Sequence, residues 1–385
     1  WINPIWTICC AIRNKGGIVA CWNLVFRKYR EGLSIKTILR ESWKSRIGTG
    51  YFEWQERFEK LTPQDMSAIR KQIQGLQSPP LISILMPVYN PDPHLLRQAL
   101  DSVQNQIYPY WELCIADDAS PNAQIQTILE DYCRADSRIH VIFRKENGHI
   151  CAASNSALDL CTGTYTALMD HDDILPEVAL YFVAMEITQH PDAMLIYSDE
   201  DLLSPQDKRY NPHFKPDWNE PLFLASNYLN HLSIYRTSLL REIGGFRLGY
   251  EGSQDHDLTL RCVLKIRPSQ IRHIPRILYH WRQFPGSGSF SDRALEQCKK
   301  ARRQAVADYL ETKKCNATVT RGCFGFNKIN YTLKKLPPVT CVIPARNHAE
   351  LTQICLNGLL YHTDYAPIEV ILVDNGSIEQ DAISL

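Results

Sequence analysis

The chain has 385 residues, 44% hydrophobic and 22% charged, which excludes a disordered polypeptide and leaves room for two or three domains. Lys+Arg and Asp+Glu balance at 42 each, so no global charge recruits a polyanion and no nucleic-acid partner is expected. The 13 cysteines lack paired or zinc-type spacing and sit singly in apolar runs such as Leu113-Cys114-Ile115, as free thiols do in a reducing compartment.

The Trp-rich start (Trp1, Trp6, Trp22), followed by Arg27, Lys28 and Arg30, reads as a partly buried helical cap, with peripheral contact to a membrane as the alternative. The longest apolar run, 18–26, is broken by Asn23 and falls short of the roughly 20 residues a spanning helix needs. A chain that opens on Trp1 without an initiator Met is expected of a fragment. Ile35, Ile38, Leu39, Trp43 and Ile47 form one helical stripe, and Met66, Ile69, Ile73 and Leu76 another. Thr62-Pro63-Gln64-Asp65 supplies the second helix with an N-cap, a first-turn proline and an acidic first turn. Ser78-Pro79-Pro80 ends this helical lead-in.

From there the pattern alternates. Strands are predicted over 81–86, 111–116, 139–143 and 165–169, separated by helices over 94–106, 125–132 and 151–160. Strict alternation argues for a largely parallel α/β sheet, whose ligands bind at the carboxyl ends of the strands. Three motifs fall there: Pro87-Val88-Tyr89-Asn90, Asp117-Asp118-Ala119-Ser120 and Asp170-His171-Asp172-Asp173. Three carboxylates in one turn repel one another unless a cation joins them. A Mg²⁺ or Mn²⁺ ion shared with a phosphorylated ligand is set against a solvated loop with helix-capping Asp residues.

A repeat appears near the C-terminus. Residues 337–347 parallel 79–90 with a one-residue gap, their starts 258 positions apart (337 − 79 = 258), and 369–377 parallel 112–120. The second copy holds only a first strand, a helix and a second strand. The sequons at Asn316 and Asn375 matter only in a secreted protein and are set aside.

Together these motifs resemble the family 2 glycosyltransferases, over about residues 79–309, and most closely bacterial enzymes of O-antigen and cell-surface polysaccharide assembly, including rhamnosyltransferase-like proteins with tandem domains. The resemblance implies a GT-A fold, Rossmann-like, with a mostly parallel sheet flanked by helices. The expected domains are a helical region 1–78, a transferase domain 79–315, a linker 316–336 and a truncated second transferase domain 337–385. It implies an inverting, metal-dependent transfer from a UDP- or dTDP-linked sugar to a glycan or lipid-linked acceptor, in the cytoplasm or at the cytoplasmic face of the membrane.

Carried over residue by residue, the resemblance assigns Pro87, Tyr89, Asn90, Asp117, Asn147, Asn155 and Asp170 to the donor, and Asp170, Asp172 and His280 to Mg²⁺ or Mn²⁺. Trp281 and Arg282 gate the site or contact the diphosphate, and Gly286-Ser287-Gly288-Ser289 is flexible enough for a lid. Asp255 is the general base, although the Glu that many members place before it is Gln254 here. Asp199, Glu200, Trp218, Asn227 and Tyr228 are assigned to the acceptor, and Asp199, Glu200 and Asp201 are the rival source of a base. The competing readings are a nucleotidyltransferase, which would want a Gly-rich basic loop where Pro87-Val88-Tyr89-Asn90-Pro91 stands, and a catalytically silent nucleotide- or glycan-binding half of a tandem enzyme.

Overall fold

The computed structural model describes residues 50–283 and 295–385, so the Trp-rich start, the first helical stripe and the expected lid at 286–289 lie outside the described residues. The chain divides into two compact units. The first reaches Lys313 and includes Val319–Lys328; the second comprises Lys314–Thr318 and Ile329–Leu385. Among the described residues no helix is long and apolar enough to cross a membrane.

In the first unit a helix over 50–58 (α1) precedes α2 (Pro63–Gln74). Thr62 caps α2 through the Asp65 N–H, and the Asp65 carboxylate accepts from the Thr62 N–H, a reciprocal capping box. The order is then β1 (Ile82–Val88), α3 (Pro93–Gln104), β2 (Trp111–Asp117), α4 (Ala123–Ala135), β3 (Ile139–Phe143), α5 (His149–Leu160) and β4 (Tyr165–Leu168). These four strands lie parallel in the order β3-β2-β1-β4, and β1 and β2 are buried almost throughout, as strands covered on both faces must be.

Beyond β4 the sheet is mixed. It continues through β7 (Ser233–Arg236), β5 (Leu195–Leu203) and β6 (Arg209–His213), with β8 (Ile271–Arg282) parallel to β5. The turn joining β5 to β6 is too short for a parallel crossover, so that pair is antiparallel. This is the expected α/β class: its parallel half carries the three strand-end motifs, and its mixed half faces them with β5, β7 and β8.

One buried carboxylate ties the parallel half together. Glu112 accepts from the Ser83 and Thr162 hydroxyls at 2.5 and 2.8 Å and from the N–H groups of Thr162 and Gly163 at 2.5 and 2.9 Å. A Cβ on Gly163 would stand 2.6 Å from Ser83 Oγ and 2.7 Å from the Leu81 carbonyl oxygen, so the approach of β4 to β1 requires a glycine.

Two expected boundaries are corrected. Ile69 and Ile73 of α2 pack in the same hydrophobic cluster as Ile82, Ile84 and Leu100, so α2 belongs to the α/β core and not to a separate lead-in region. Within the expected linker 316–336, β9 (Ala317–Arg321) and β10 (Asn327–Tyr331) pair with each other, so β-branched residues at Thr318, Val319 and Thr320 prevail over a linker reading.

The second unit contains β11 (Val339–Ala345), a helix over Ala349–Tyr361 and β12 (Ile368–Asp374), with β11 and β12 parallel. It repeats the opening of the first unit at a constant offset of 257 (347 − 90 = 257), without the gap that the sequence comparison used. The Tyr108 hydroxyl donates to the Pro80 carbonyl, and Tyr365 to Pro337. Ser83 donates to Glu112, and Thr340 to Glu369. Ser120 Oγ accepts from the Asn90 N–H at 2.8 Å and donates to Asp117, and Ser377 does the same for Asn347 and Asp374.

Candidate active site

The ends of β1, β2 and β4 bring the three strand-end motifs to one edge of the sheet. Asp117 closes β2 with its carboxylate accepting from the Ser120 hydroxyl and N–H, and Ser120 in turn holds the Asn90 N–H. Asn90 has φ 46°, a left-handed turn that asparagine tolerates better than most residues. Asp117 therefore shapes the loop after β1 at the carboxyl end of the sheet. Tyr89 is half exposed beside it, and the Pro87 carbonyl lies 3.1 Å from His171 Nδ1. Asp118 pairs with Arg144 at 2.7 Å and accepts from the Gly148 N–H, and Asn147 donates to the Asp118 carbonyl at 3.2 Å.

The acidic turn divides by environment. The Asp170 side chain is 42% exposed. Asp172 is half-buried; burial pushes its carboxyl above the usual range, and the Asp170 charge adds to this against the pull of His171. Asp173 is buried, accepting from the Tyr279 hydroxyl at 2.6 Å and the Arg282 N–H at 2.7 Å. Burial and its two acidic neighbours raise its carboxyl well above normal. Tyr279 also accepts from the Asp170 N–H at 3.1 Å, so one strand, β8, holds the turn from behind.

Arg282 is committed to the same task. Its guanidinium donates to the Asp172 carbonyl, to Asp207 and to Gln98, which corrects the expectation that it reaches a diphosphate.

A further helix, α6 (Gln254–Val263), presents Asp255 in its first turn. Asp255 is half-buried, and burial pushes its carboxyl up to about 6, with Asp170 adding and His231 opposing. A carboxylate poised near neutrality can accept a proton from a hydroxyl. His231 lies beside the turn, its Nε2 3.9 Å from Asp170 Oδ2 and its ring stacked on Tyr279 at 4.7 Å, and it also acts on the Asp255 carboxyl.

Several expected residues are placed elsewhere. His280 engages Asp201 Oδ1 through Nδ1 at 2.6 Å, and His231 is a further imidazole near the acidic turn, 3.9 Å from Asp170. Asn155 clamps the Phe246 backbone, donating to its carbonyl and accepting from its N–H at 2.8 Å each, so it secures a loop and does not face a donor. Asp199 is buried between the Lys215 N–H and His273, and Glu200 between His213, Lys215 and the His231 N–H. Neither carboxylate is open to an acceptor, and Asp201 is equally enclosed. Tyr228 is buried against Tyr197 and Phe223, and Trp218 packs on Phe223. Asn227 Oδ1 is buried and lacks a partner among the described residues.

His231 is the residue that sequence reading missed. The acceptor stretch ended at Tyr228, three positions short of it. The available signal was Asn230-His231 placed directly before the apolar strand 232–235, which makes it a strand-end position.

Residues 83–244 match the model of the family Glycosyl transferase family 2. The chain is 38% identical over 361 residues to Uncharacterized protein y4gI of Sinorhizobium fredii, covering 92% of this chain and 40% of that protein. It is 32% identical over 323 residues to O-antigen biosynthesis protein RfbC of Myxococcus xanthus, covering 84% of this chain and 25% of that protein. The chain thus spans two fifths or less of these relatives' length. Among solved structures, S. aureus TarS 1-349 aligns with a TM-score of 0.48 and 20% identity, over 60% of this chain and 65% of that one. The α/β unit has the mixed sheet flanked by helices of a GT-A-like fold, and its residues 83–244 are similar to Glycosyl transferase family 2.

Proposed function

We propose that the protein transfers a sugar from a UDP- or dTDP-linked donor to a hydroxyl of a glycan or lipid-linked acceptor in a single inverting displacement, in bacterial cell-surface polysaccharide synthesis. The observation that carries this reading is Asp255: a half-buried carboxyl in the first turn of its helix, raised to about 6 by burial with the Asp170 charge of the acidic turn adding to it. Asp255 takes the acceptor proton as the acceptor oxygen bonds the anomeric carbon and the nucleoside diphosphate leaves. The loop shaped by Asp117, Ser120 and Asn90 receives the nucleoside, with Tyr89 exposed beside it. The donor is drawn from the cytoplasm, where nucleotide sugars are made.

A divalent cation fits the donor side. Among the described residues no three His, Cys, Asp or Glu side chains are grouped to hold a metal by themselves. Asp170 and Asp172, however, carry like charges whose repulsion helps raise the Asp172 carboxyl despite the pull of His171, and Mg²⁺ or Mn²⁺ is commonly held by one or two carboxylates plus substrate phosphates. Asp170 and Asp172 would hold it, and when bound it neutralises charge on the leaving diphosphate. Asp173 keeps the turn in place through Tyr279 and Arg282.

The test is release of nucleoside diphosphate from a panel of UDP- and dTDP-linked sugars with Mn²⁺ or Mg²⁺, comparing wild type with Asp172→Asn and Asp255→Asn. Turnover should fall at least a hundredfold in Asp255→Asn while donor binding persists. Undiminished turnover would overturn the base, and metal-dependent turnover surviving in Asp172→Asn would overturn the metal assignment.

The second unit reads as the opening of a second copy of this domain. The recurrence of the Ser–Asp–Asn loop ties at Ser377, Asp374 and Asn347 supports that reading. Nucleotide binding abolished by Asp117→Ala alone would locate the donor in the first unit; binding abolished only by Asp374→Ala would locate it in the second.

A further inference from the structure

His231 is held unusually firmly for a loop residue. Its N–H donates to the Glu200 carboxylate and its carbonyl accepts from Lys215 Nζ at 2.5 Å. Lys215 also donates to the Leu229 carbonyl at 3.1 Å, and its Nζ lies 3.8 Å from Glu200, with the Lys215 side chain wholly buried and that of Glu200 6% exposed. Burying two ions costs several kcal/mol each before their attraction is counted, and here both are spent on one peptide segment. On the other side the ring is clamped by Tyr279, stacked at 4.7 Å, and by the edge of Trp281 at 6.1 Å. The held side chain faces Asp170 at 3.9 Å and acts on Asp255, while its Nδ1 is buried with no partner among the described residues.

We propose that His231 is a positioning residue for sugar transfer, fixing the separation between Asp170 on the donor side and Asp255 on the acceptor side, and that the Glu200–Lys215 pair sets its place from behind. This rests on the transfer reading above. In a one-step displacement the acceptor oxygen and the anomeric carbon must be brought to about 3–3.5 Å in line, so a shift of about 1 Å between the two halves can cost about a hundredfold in rate. Such a shift leaves donor affinity nearly untouched, because the nucleoside is held at the far end of the site by the β1 and β2 loops.

The experiment measures hydrolysis of UDP-glucose, UDP-N-acetylglucosamine and dTDP-rhamnose with Mn²⁺, following the most active donor. His231→Phe keeps a ring to stack on Tyr279 and removes both ring nitrogens; His231→Gln restores a polar side chain. His231→Phe is expected to lose about a hundredfold in kcat with donor KM within about threefold. His231→Gln should recover about tenfold of that loss, and Lys215→Met should show the same kcat-weighted split. The double variant with Asp255→Asn should be no slower than Asp255→Asn alone, since the two residues act as a unit.

If His231→Phe does not fold, His231→Gln and Lys215→Met carry the test, and wild-type kcat in both overturns the proposal. Wild-type kcat in a folded His231→Phe, or a loss that multiplies with that of Asp255→Asn, overturns the positioning role and leaves Asp255 standing as base. Undiminished turnover in Asp255→Asn overturns Asp255 as base, and failure of the wild type to hydrolyse any of the donors overturns the transfer reading itself.

Discussion

His280 Nδ1 lies 2.6 Å from Asp201 Oδ1, and the other oxygen of that carboxylate accepts from the Tyr51 hydroxyl at 2.5 Å and from Arg209 Nε at 2.6 Å. Burial works against the charge on Asp201, yet the bond from His280 and the charges of His280 and Arg209 outweigh it and hold the carboxyl below its ordinary range. A single enclosed carboxylate thus fastens α1 and β6 to β8.

His280→Gln should accordingly behave as a structural variant. Removing one partner of a buried charged hydrogen bond costs about 1–3 kcal/mol, which a denaturant melt reads directly. Binding of UDP with Mn²⁺, followed by calorimetry, should change less than about twofold. A tenfold loss of metal-dependent binding with unchanged stability would return His280 to the metal.

Asp172→Asn should weaken UDP binding in Mn²⁺ by about tenfold or more and leave binding in chelator unchanged. Without metal the variant should melt higher than wild type, because it removes a half-buried carboxyl that burial and Asp170 both disfavour in its charged form. A variant that melts lower in chelator would show that Asp172 is compensated within the protein.

Asp255→Asn provides a test that needs no substrate. The Asp255 carboxyl stands at about 6 in the fold against an ordinary value near 3.8. A raised carboxyl favours the folded state below the ordinary value, and that advantage is lost as pH rises through about 6. The wild type should therefore lose stability relative to Asp255→Asn between about pH 4 and 6. At pH 7.5 the Asn variant should be more stable by about 1–2 kcal/mol, the ideal value being reduced for partial exposure. Equal melting temperatures across that range would contradict the raised carboxyl.

Ser120→Ala removes the hydroxyl that links Asp117 to the Asn90 N–H. The loop after β1 should loosen, raising donor KM several-fold with kcat nearly unchanged, as expected for lost uniform binding. A fall in kcat at constant KM would place this loop at the reacting centre.

Most of the parallel half of the sheet was legible because β1, β2 and β4 are buried on both faces and the helices between them are amphipathic, while the edge strand β3 is exposed along most of its length. The strand-end motifs followed from that placement. The residues that support the motifs were not legible, since their partners are far apart in sequence: Asp173 meets Tyr279 and Arg282, Asn155 meets Phe246, and Glu200 meets the His231 backbone. Periodicity carries no information about such pairs. The packing of Tyr228 and Trp218 was illegible for a related reason: an aromatic residue in a polar stretch suits a sugar face as well as it suits Phe223, and sequence alone does not show the contact.

The attachment of Asp173 to Tyr279 and Arg282, across 106 and 109 residues of sequence, bears on how the protein is made. A ribosome delivers the acidic turn long before the strand that holds it. Until residue 282 has left the exit tunnel, Asp173 lacks its hydroxyl and amide donors. Its burial is then unsupported, and the parallel half, otherwise complete by Leu168, waits with its donor end unfinished. At elongation rates of about 5–20 residues per second that interval lasts roughly 5–20 seconds. The support of the acidic turn thus arrives late in synthesis, after the scaffold that displays it.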